Sequence, residues 1–313
     1  MCEQSDPRDL VRDAARAEDA GFAFEVISDH YFPWLDSQGH APNAWAVLGA
    51  VAHATRRVDL MTYVTCPIMR YHPVVVAQQA ATVDLLSNGR FVLGVGAGEN
   101  LNEHVVGRGW PPANVRHEML DEAVRIIRAL FGGGYVNFVG RHFRADSAKL
   151  WDLADTPPRI GVAVSGQQSA ELAGSSADAM IAVEPEEDLG TMFDRAGGSG
   201  KPRIGQVPIC WDPSRDAAVD RAHDQFRWFG GGWKVNAELP GTAAFAGASQ
   251  FVRKDDVAES IPCGPDVEAH VKAVREFVDA GFTDVAVVQV GGDTQPAFLD
   301  WAERELLPAL REL

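Results

Sequence analysis

The sequence has few cysteines and no long apolar run. Its 313 residues include four cysteines, Cys2, Cys66, Cys210 and Cys263. They lie far apart and form no Cys-x-x-Cys pair, so we expect reduced, mostly buried thiols and neither a disulfide framework nor a metal site. No apolar stretch reaches the ~18 residues that a membrane span needs. No basic-then-apolar leader is present, and we therefore expect a cytoplasmic protein without membrane contact.

Positive charge is also scarce. Lysine and arginine number 28 against 44 aspartates and glutamates, which gives a formal net charge of −16. A field of this sign repels phosphate, so it argues against nonspecific binding to nucleic acid or to anionic membranes and leaves a small-molecule substrate as the expected partner. The hydrophobic fraction of 46% is that of a folded globular protein. Because no domain boundary is visible, residues 1–313 are predicted to form a single domain.

Strand-like and helix-like segments alternate along the chain. The helix predicted at Arg8–Ala20 is followed by a strand at Phe22–Ser28, and the pattern continues to a strand at Asp284–Val290. Such repeats predict an α/β fold, a TIM (β/α)8 barrel with insertion loops. The alternative is an open doubly wound sheet. It is disfavoured because the glycine run at 94–98 is followed by Glu99, where a bound phosphate would have to lie.

Two segments depart from the regular pattern. Only Met1–Gln4 precede the first predicted helix, whereas a complete barrel needs a strand of ~5 residues there, so the first strand is expected to be truncated. Gly230–Ser249 is rich in glycine, alanine and proline and is predicted to form a lid or insertion loop.

Chemically active residue types follow two of the predicted strands. Asp29, His30 and Trp34 come after the first, and Glu99 and Asn102 follow the glycine run after another. Because parallel strands end at the same rim of a barrel, we expect a base, a carboxylic acid and an aromatic wall to surround one ligand.

These segments resemble the luciferase-like flavin and deazaflavin superfamily, and within it the group similar to F420-dependent glucose-6-phosphate dehydrogenase. The resemblance rests on 28–34, on Gly39-His40-Ala41-Pro42 and on 93–103, in that order, and it covers nearly the whole chain. It implies a TIM barrel with coenzyme F420 across the C-terminal rim, an oxidoreductase activity and a homodimer.

The resemblance also implies roles for individual residues. His30 would be the base that takes the substrate hydroxyl proton, Glu99 would supply the proton that balances the reduced ring, and Trp34 would wall the site and stabilise the charged histidine. Asp29 would hold polar groups of the cofactor. A cis peptide bond is expected between Tyr63 and Val64. The other implied cofactor contacts are Tyr63, Val64, Cys66, Ala97, Gly98, Asn102, Ser165, Gly166, Gln168 and Ser169.

The substrate positions depart from those of the glucose-6-phosphate dehydrogenases. Glu3 aligns with an acidic residue close to the substrate in that family. Val183 and Glu186 stand where a threonine and a lysine are expected, and Glu259 where an arginine is expected, while Lys234 is retained. Since carboxylates repel a phosphate dianion, we predict a neutral or cationic alcohol, ketone or enone as the substrate.

Three functions are compatible with these motifs. The first is an F420-dependent oxidoreductase, the second an FMN-dependent monooxygenase of the same fold, and the third a non-catalytic cofactor-binding protein. The combination of Asp29, His30, Trp34 and Glu99 favours the first, because hydride transfer needs a base and an acid but no oxygen pocket.

Overall fold

Seven parallel strands form the wall of an α/β barrel. The computed structural model describes residues 1–313, and its main sheet has the order β1-β2-β3-β6-β7-β8-β9. These strands are β1 (Phe24–Ile27), β2 (Asp59–Thr62), β3 (Phe91–Val95), β6 (Arg159–Ala163), β7 (Ala179–Ala182), β8 (Arg203–Ile209) and β9 (Asp284–Gln289). A separate antiparallel hairpin contains β4 (Val136–Val139) and β5 (Arg144–Ala148). The predicted α/β barrel is confirmed, with seven strands in its wall.

Helices cover the outside of this wall. The longer helices are α1 (Pro7–Ala20), α2 (Ala44–Ala54), α3 (Pro73–Ser87), α5 (Ala113–Phe131), α6 (Gln167–Ser176), α8 (Arg215–Phe226) and α12 (Val267–Asp279). The shorter ones are α4 (Asn100–Glu103), α7 (Glu187–Phe193), α9 (Trp233–Asn236), α10 (Thr242–Ala248), α11 (Lys254–Ser260), α13 (Gln295–Trp301) and α14 (Leu307–Leu310). A core of 54 buried residues, mostly aliphatic, fills the layer between helices and strands.

Local sequence explains where the first helix begins and ends. Asp6 caps α1 by accepting a hydrogen bond from Arg8 N, and Pro7 occupies its first position. Gly21 ends it with a φ of 99°, a left-handed conformation that glycine adopts without a steric penalty. The chain then enters β1, whose four residues pair in parallel with all four of β2. Because every ladder of the sheet is parallel, the residues that follow β1, β3, β6 and β7 meet at one rim.

The sheet is not hydrogen-bonded between β1 and β9. Residues before α1 form a 3-10 turn, Cys2–Gln4, at the C-terminal rim of this seam, where the terminal ammonium donates to Gln289 O at 3.0 Å. No strand precedes α1 among residues 1–313.

One predicted segment differs from the structure. The predicted lid Gly230–Ser249 is not irregular but contains α9 and α10. A 3-10 turn, Arg227–Gly231, which continues directly from α8, leads into it. None of the helices combines the length and apolar character that crossing a membrane requires.

Candidate active site

His30 lies directly after β1 and is held between two carboxylates. Its Nδ1 is 2.8 Å from Glu3 Oε1, and its Nε2 is 3.3 Å from Glu99 Oε1. Glu3 comes from the turn before α1 and Glu99 from the bend after β3, so three separate segments meet at this point. All three side chains are buried, with Glu99 the most exposed at 12%.

This arrangement stabilises the charged imidazolium. Burial alone would lower the pKa of His30, but the hydrogen bonds and charges of Glu3 and Glu99 raise it to about 10. Burial would likewise raise the pKa of Glu3, and the contact with His30 lowers it to about 2. The pKa of Glu99 is also lowered, against burial, by His30 and then by Asn102. At neutral pH the site therefore contains one imidazolium between two carboxylates.

Asn102 joins the two loops that carry His30 and Glu99. Its Nδ2 donates to Glu99 Oε1 at 2.7 Å, and its Oδ1 accepts from Tyr31 N and Phe32 N at 2.7 and 3.0 Å. The side chain is buried and is not part of the cavity wall. The structure thus places Asn102, an implied cofactor contact, where it fixes the orientation of the Glu99 carboxylate.

Asp29 lies behind the site in a second buried network. Its carboxylate accepts from Thr65 Oγ1 at 2.9 Å and contacts Arg70 Nη2 at 3.2 Å. The same guanidinium contacts Glu103 at 3.3 Å. No sequence motif predicted that Arg70 belongs to this network. Asp29 does not line the cavity. Its place in the structure is that of a residue that anchors the loop carrying His30.

Trp34 stands beside the imidazole and is backed by a second indole. The rings of Trp34 and His30 are perpendicular, with centroids 4.9 Å apart. On its other side Trp34 stacks on Trp228 at 4.0 Å with an interplanar angle of 10°. Trp228 belongs to the 3-10 turn after α8. The sequence alone did not show whether Trp228 is a core residue or a site residue.

A cavity with a volume of about 910 Å³ opens beside these residues and continues along the seam between β1 and β9 as far as Phe22 and Arg311. It brings together most of the predicted site residues: His30, Trp34, Glu99, Glu3, Tyr63, Val64, Ala97, Gly98, Ser165, Gly166, Gln168, Ser169, Val183 and Lys234 line it. The Tyr63–Val64 peptide bond is cis, as expected. Cys66 does not line the cavity; its sulfur lies directly under Gly98, where a Cβ would come within 2.3 Å of it.

The cavity wall fits a flat polycyclic cofactor with an anionic tail. A Cβ at Gly96 would come within 2.7 Å of Val64, so glycine lets these two segments form one continuous wall. At one end of the cavity, the ten-residue helix α6 begins at Gly166, where added side-chain atoms would meet nothing within 4 Å. An open helix N-terminus suits a phosphodiester.

The mouth of the cavity carries more negative than positive charge. Glu184 lines it, and partial burial and then the neighbouring Glu186 raise the pKa of Glu184. Lys234 is the exposed cation there. Glu186 itself is exposed at the rim and Glu259 is exposed on α11; neither belongs to the cavity wall. No group of three or more metal-ligating side chains is assembled in the chain.

Comparison with known proteins agrees with this geometry. The family model described as luciferase-like monooxygenase matches residues 2–284. The chain belongs to the luciferase-like family. Within this family it is 34% identical to an F420-dependent hydroxymycolic acid dehydrogenase of Mycobacterium tuberculosis, over 96% of this chain and 84% of that protein. It is 33% identical to an F420-dependent glucose-6-phosphate dehydrogenase of Beutenbergia cavernae, over 99% and 95%. The predicted family is confirmed.

Two solved structures have the same barrel. An F420-dependent secondary alcohol dehydrogenase in complex with an F420–acetone adduct superposes with a TM-score of 0.89 and 29% identity, covering 98% of this chain and 96% of that one. An F420-dependent tetrahydromethanopterin reductase from Methanopyrus kandleri superposes with a TM-score of 0.77 over 99% and 97% of the two chains, and at 20% identity it supports the fold alone.

Proposed function

We propose that this chain is an F420-dependent oxidoreductase that interconverts a small uncharged alcohol and its ketone. The predicted oxidoreductase class and cofactor are confirmed by the F420-dependent dehydrogenases that match nearly the whole chain. The observation that carries the rest is the position of His30, a buried imidazolium at the cavity wall between Glu3 and Glu99.

His30 is suited to deliver a proton to a substrate oxygen. Coenzyme F420, when bound, supplies the donor or acceptor of the hydride. In ketone reduction, the imidazolium of His30 would donate its proton to the substrate oxygen. In alcohol oxidation, His30 must first transfer its own proton to a carboxylate before it can accept the one from the hydroxyl. Glu99, which is more exposed than Glu3, is the better exit for that proton. The raised pKa of His30 therefore suits catalysis in the direction of reduction at neutral pH.

The cofactor contacts follow from the cavity wall. The residues that would hold the ring are Val64 and the 96–98 bend, and those that would hold the phosphodiester are Ser165, Gly166 and the first turn of α6. Ser169 supports this turn, since its Oγ donates to Gly166 O and accepts from Ser165 N.

The proposed substrate lacks a phosphate because the cavity mouth offers little to neutralise one. Glu184 and Glu186 lie close together at the end of β7, so a substrate phosphate at the cavity mouth would face two negative charges. Lys234 is an exposed cation there, whereas Arg116, which also lines the cavity, is buried and already paired with Glu238 at 2.8 Å. Trp34 and Phe229 line the same cavity, and their aromatic rings suit a compact apolar substrate.

Steady-state assays with the purified protein test this proposal. With reduced F420, we expect turnover of small ketones, and with oxidised F420 slower turnover of the matching secondary alcohols. Glucose 6-phosphate at sub-millimolar concentration should give no robust turnover. If glucose 6-phosphate is oxidised with a sub-millimolar KM, the proposed substrate class is wrong. The absorbance band of bound cofactor distinguishes F420 from FMN.

Replacing His30 tests its role in the same assay. His30→Ala should lower kcat by ~10²–10⁴ while the Kd for F420 changes little. The comparison variant is His53→Ala, since His53 is an exposed residue on α2 that does not line the cavity. An unchanged kcat in His30→Ala would remove His30 from the mechanism.

A further inference from the structure

A buried glutamine ties Trp34 to the segment that follows α8. Gln38 Oε1 accepts from Trp34 N at 2.7 Å and from Leu35 N at 3.3 Å. Its Nε2 donates to Gln225 O, in the last turn of α8, at 2.8 Å. The side chain of Gln38 is buried and does not line the cavity, so it has no access to a ligand.

The same segment supplies the indole that backs Trp34. Trp228, three residues beyond Gln225, stacks on Trp34, while Phe245 of α10 packs against the edges of both rings at 5.1 and 6.2 Å. Trp34 is thus fixed through its backbone by Gln38 and through its ring by Trp228. Its one remaining ring neighbour is His30, at 4.9 Å.

We infer that Gln38 and Trp228 are positioning residues that hold the Trp34 indole against His30, and that the segment after α8 is thereby part of the active site. The expected effect on turnover rests on the proposed function, whereas the positioning of Trp34 does not. Gln38 joins the backbone of Trp34 and Leu35 to the last turn of α8, so it fixes the position from which the Trp34 side chain extends. A small displacement of a group at the reacting centre is costly, up to ~10²-fold in rate for 1 Å.

Circular dichroism of the ligand-free protein tests the positioning without any turnover. Two close indoles with skewed transition moments give an exciton couplet. Because Trp211 and Trp301 form a second stacked pair, the couplet of Trp34 and Trp228 is measured as the difference between the spectra of the wild-type protein and Trp228→Leu, and Trp34→Phe should give the same difference. In Gln38→Met, which cannot make the three hydrogen bonds, we expect this couplet to weaken. Gln38→Glu keeps the acceptor for Trp34 N and loses the donor to Gln225, so it should give an intermediate signal. An undiminished couplet in Gln38→Met would overturn the role of Gln38.

Kinetics test whether Trp228 acts through Trp34. We expect Trp228→Leu to lower kcat about 10-fold, Trp228→Phe to restore part of it, and neither to change the KM more than about twofold. In the Trp34→Phe background, Trp228→Leu should cost no further activity. Independent losses in kcat, or a change confined to KM, would show that Trp228 contacts substrate directly and would overturn the inference.

Trp211→Phe is the matched control. Trp211 is as buried as Trp228 and stacks on Trp301 at 5.6 Å, but it does not line the cavity. Its replacement should leave kcat unchanged and the Trp34–Trp228 couplet intact. If wild-type protein gives the couplet but no turnover with F420, the proposed function fails while the positioning of Trp34 by Gln38 is still decided by the spectra.

Discussion

Contacts with two carboxylates give His30 a positive charge at neutral pH, where a free histidine is mostly neutral. Free histidine is mostly neutral at pH 7, and burial would make it more so. The carboxylates of Glu3 and Glu99 outweigh burial and raise the pKa of His30 to about 10. A histidine whose folded pKa exceeds its unfolded one stabilises the fold fully below about pH 6.5 and loses this contribution as the pH rises through 10.

We predict that His30 is protonated in the ligand-free protein at pH 7. Nuclear magnetic resonance of the imidazole nitrogens should show a cation that titrates only as the pH approaches 10. Glu3→Gln removes the shorter ion pair, at 2.8 Å, and should move the titration to lower pH. A midpoint near 6.5 in the wild-type protein would contradict both the charged state and the proposed preference for reduction.

At the scale of elements, two buried carboxylates fix the ends of connecting loops. Glu18 of α1 accepts hydrogen bonds from the consecutive backbone groups Arg56 N, Arg57 N and Val58 N, just before β2. Glu122 of α5 likewise accepts hydrogen bonds from the backbone N–H groups of residues 141–143, in the turn of the hairpin. Such bonds to an ionised acceptor lower the pKa of Glu18 to about 2 even though burial alone would raise it.

We predict that Glu18→Gln destabilises the protein by about 1–3 kcal/mol at pH 7, measured by urea unfolding. Because the folded pKa of Glu18 lies below its unfolded value, its contribution is present above about pH 4.5 and is lost as the pH falls towards 2. The neighbouring Asp19 is 80% exposed and pairs with Arg57 at 3.4 Å, so Asp19→Asn should change stability much less. Equal losses of stability in Glu18→Gln and Asp19→Asn would contradict the role of Glu18 in holding the backbone before β2.

Periodicity and turn residues were enough to predict the barrel elements, because each strand runs into a proline, glycine or polar turn. The loop before β2 could not be predicted in this way. Glu18 and Arg56, which fix it, are 38 positions apart, and no local sequence pattern joins them. The site divides in the same way. His30, Trp34 and Glu99 follow strand ends and were predictable, whereas Gln38 and Arg70 act through contacts that exist only after folding.

At the scale of the whole molecule, several large apolar side chains are left on the surface. Val139, Trp151 and Phe251 are each at least 76% exposed, and Tyr135 lies near Trp151 beside the hairpin. Exposed apolar groups of this size favour association. We predict a homodimer, and light scattering at micromolar concentration should give about twice the chain mass. A monomer under these conditions would contradict the prediction.

The charge of the molecule and of its cavity mouth should both select against anionic substrates. The net charge is −16, and Glu186 stands at the rim where it reinforces Glu184. Glu186→Lys removes one repulsive charge and adds an attractive one, so kcat/KM for glucose 6-phosphate should rise about 10-fold, while that for a neutral ketone stays unchanged. Glu187→Lys makes the same charge change one position further along the chain, at a carboxylate that does not raise the pKa of Glu184, and should have a smaller effect, abolished by salt. Equal gains in the two variants would mean that only the long-range field matters, and no gain in either would show that the two carboxylates do not determine the substrate charge.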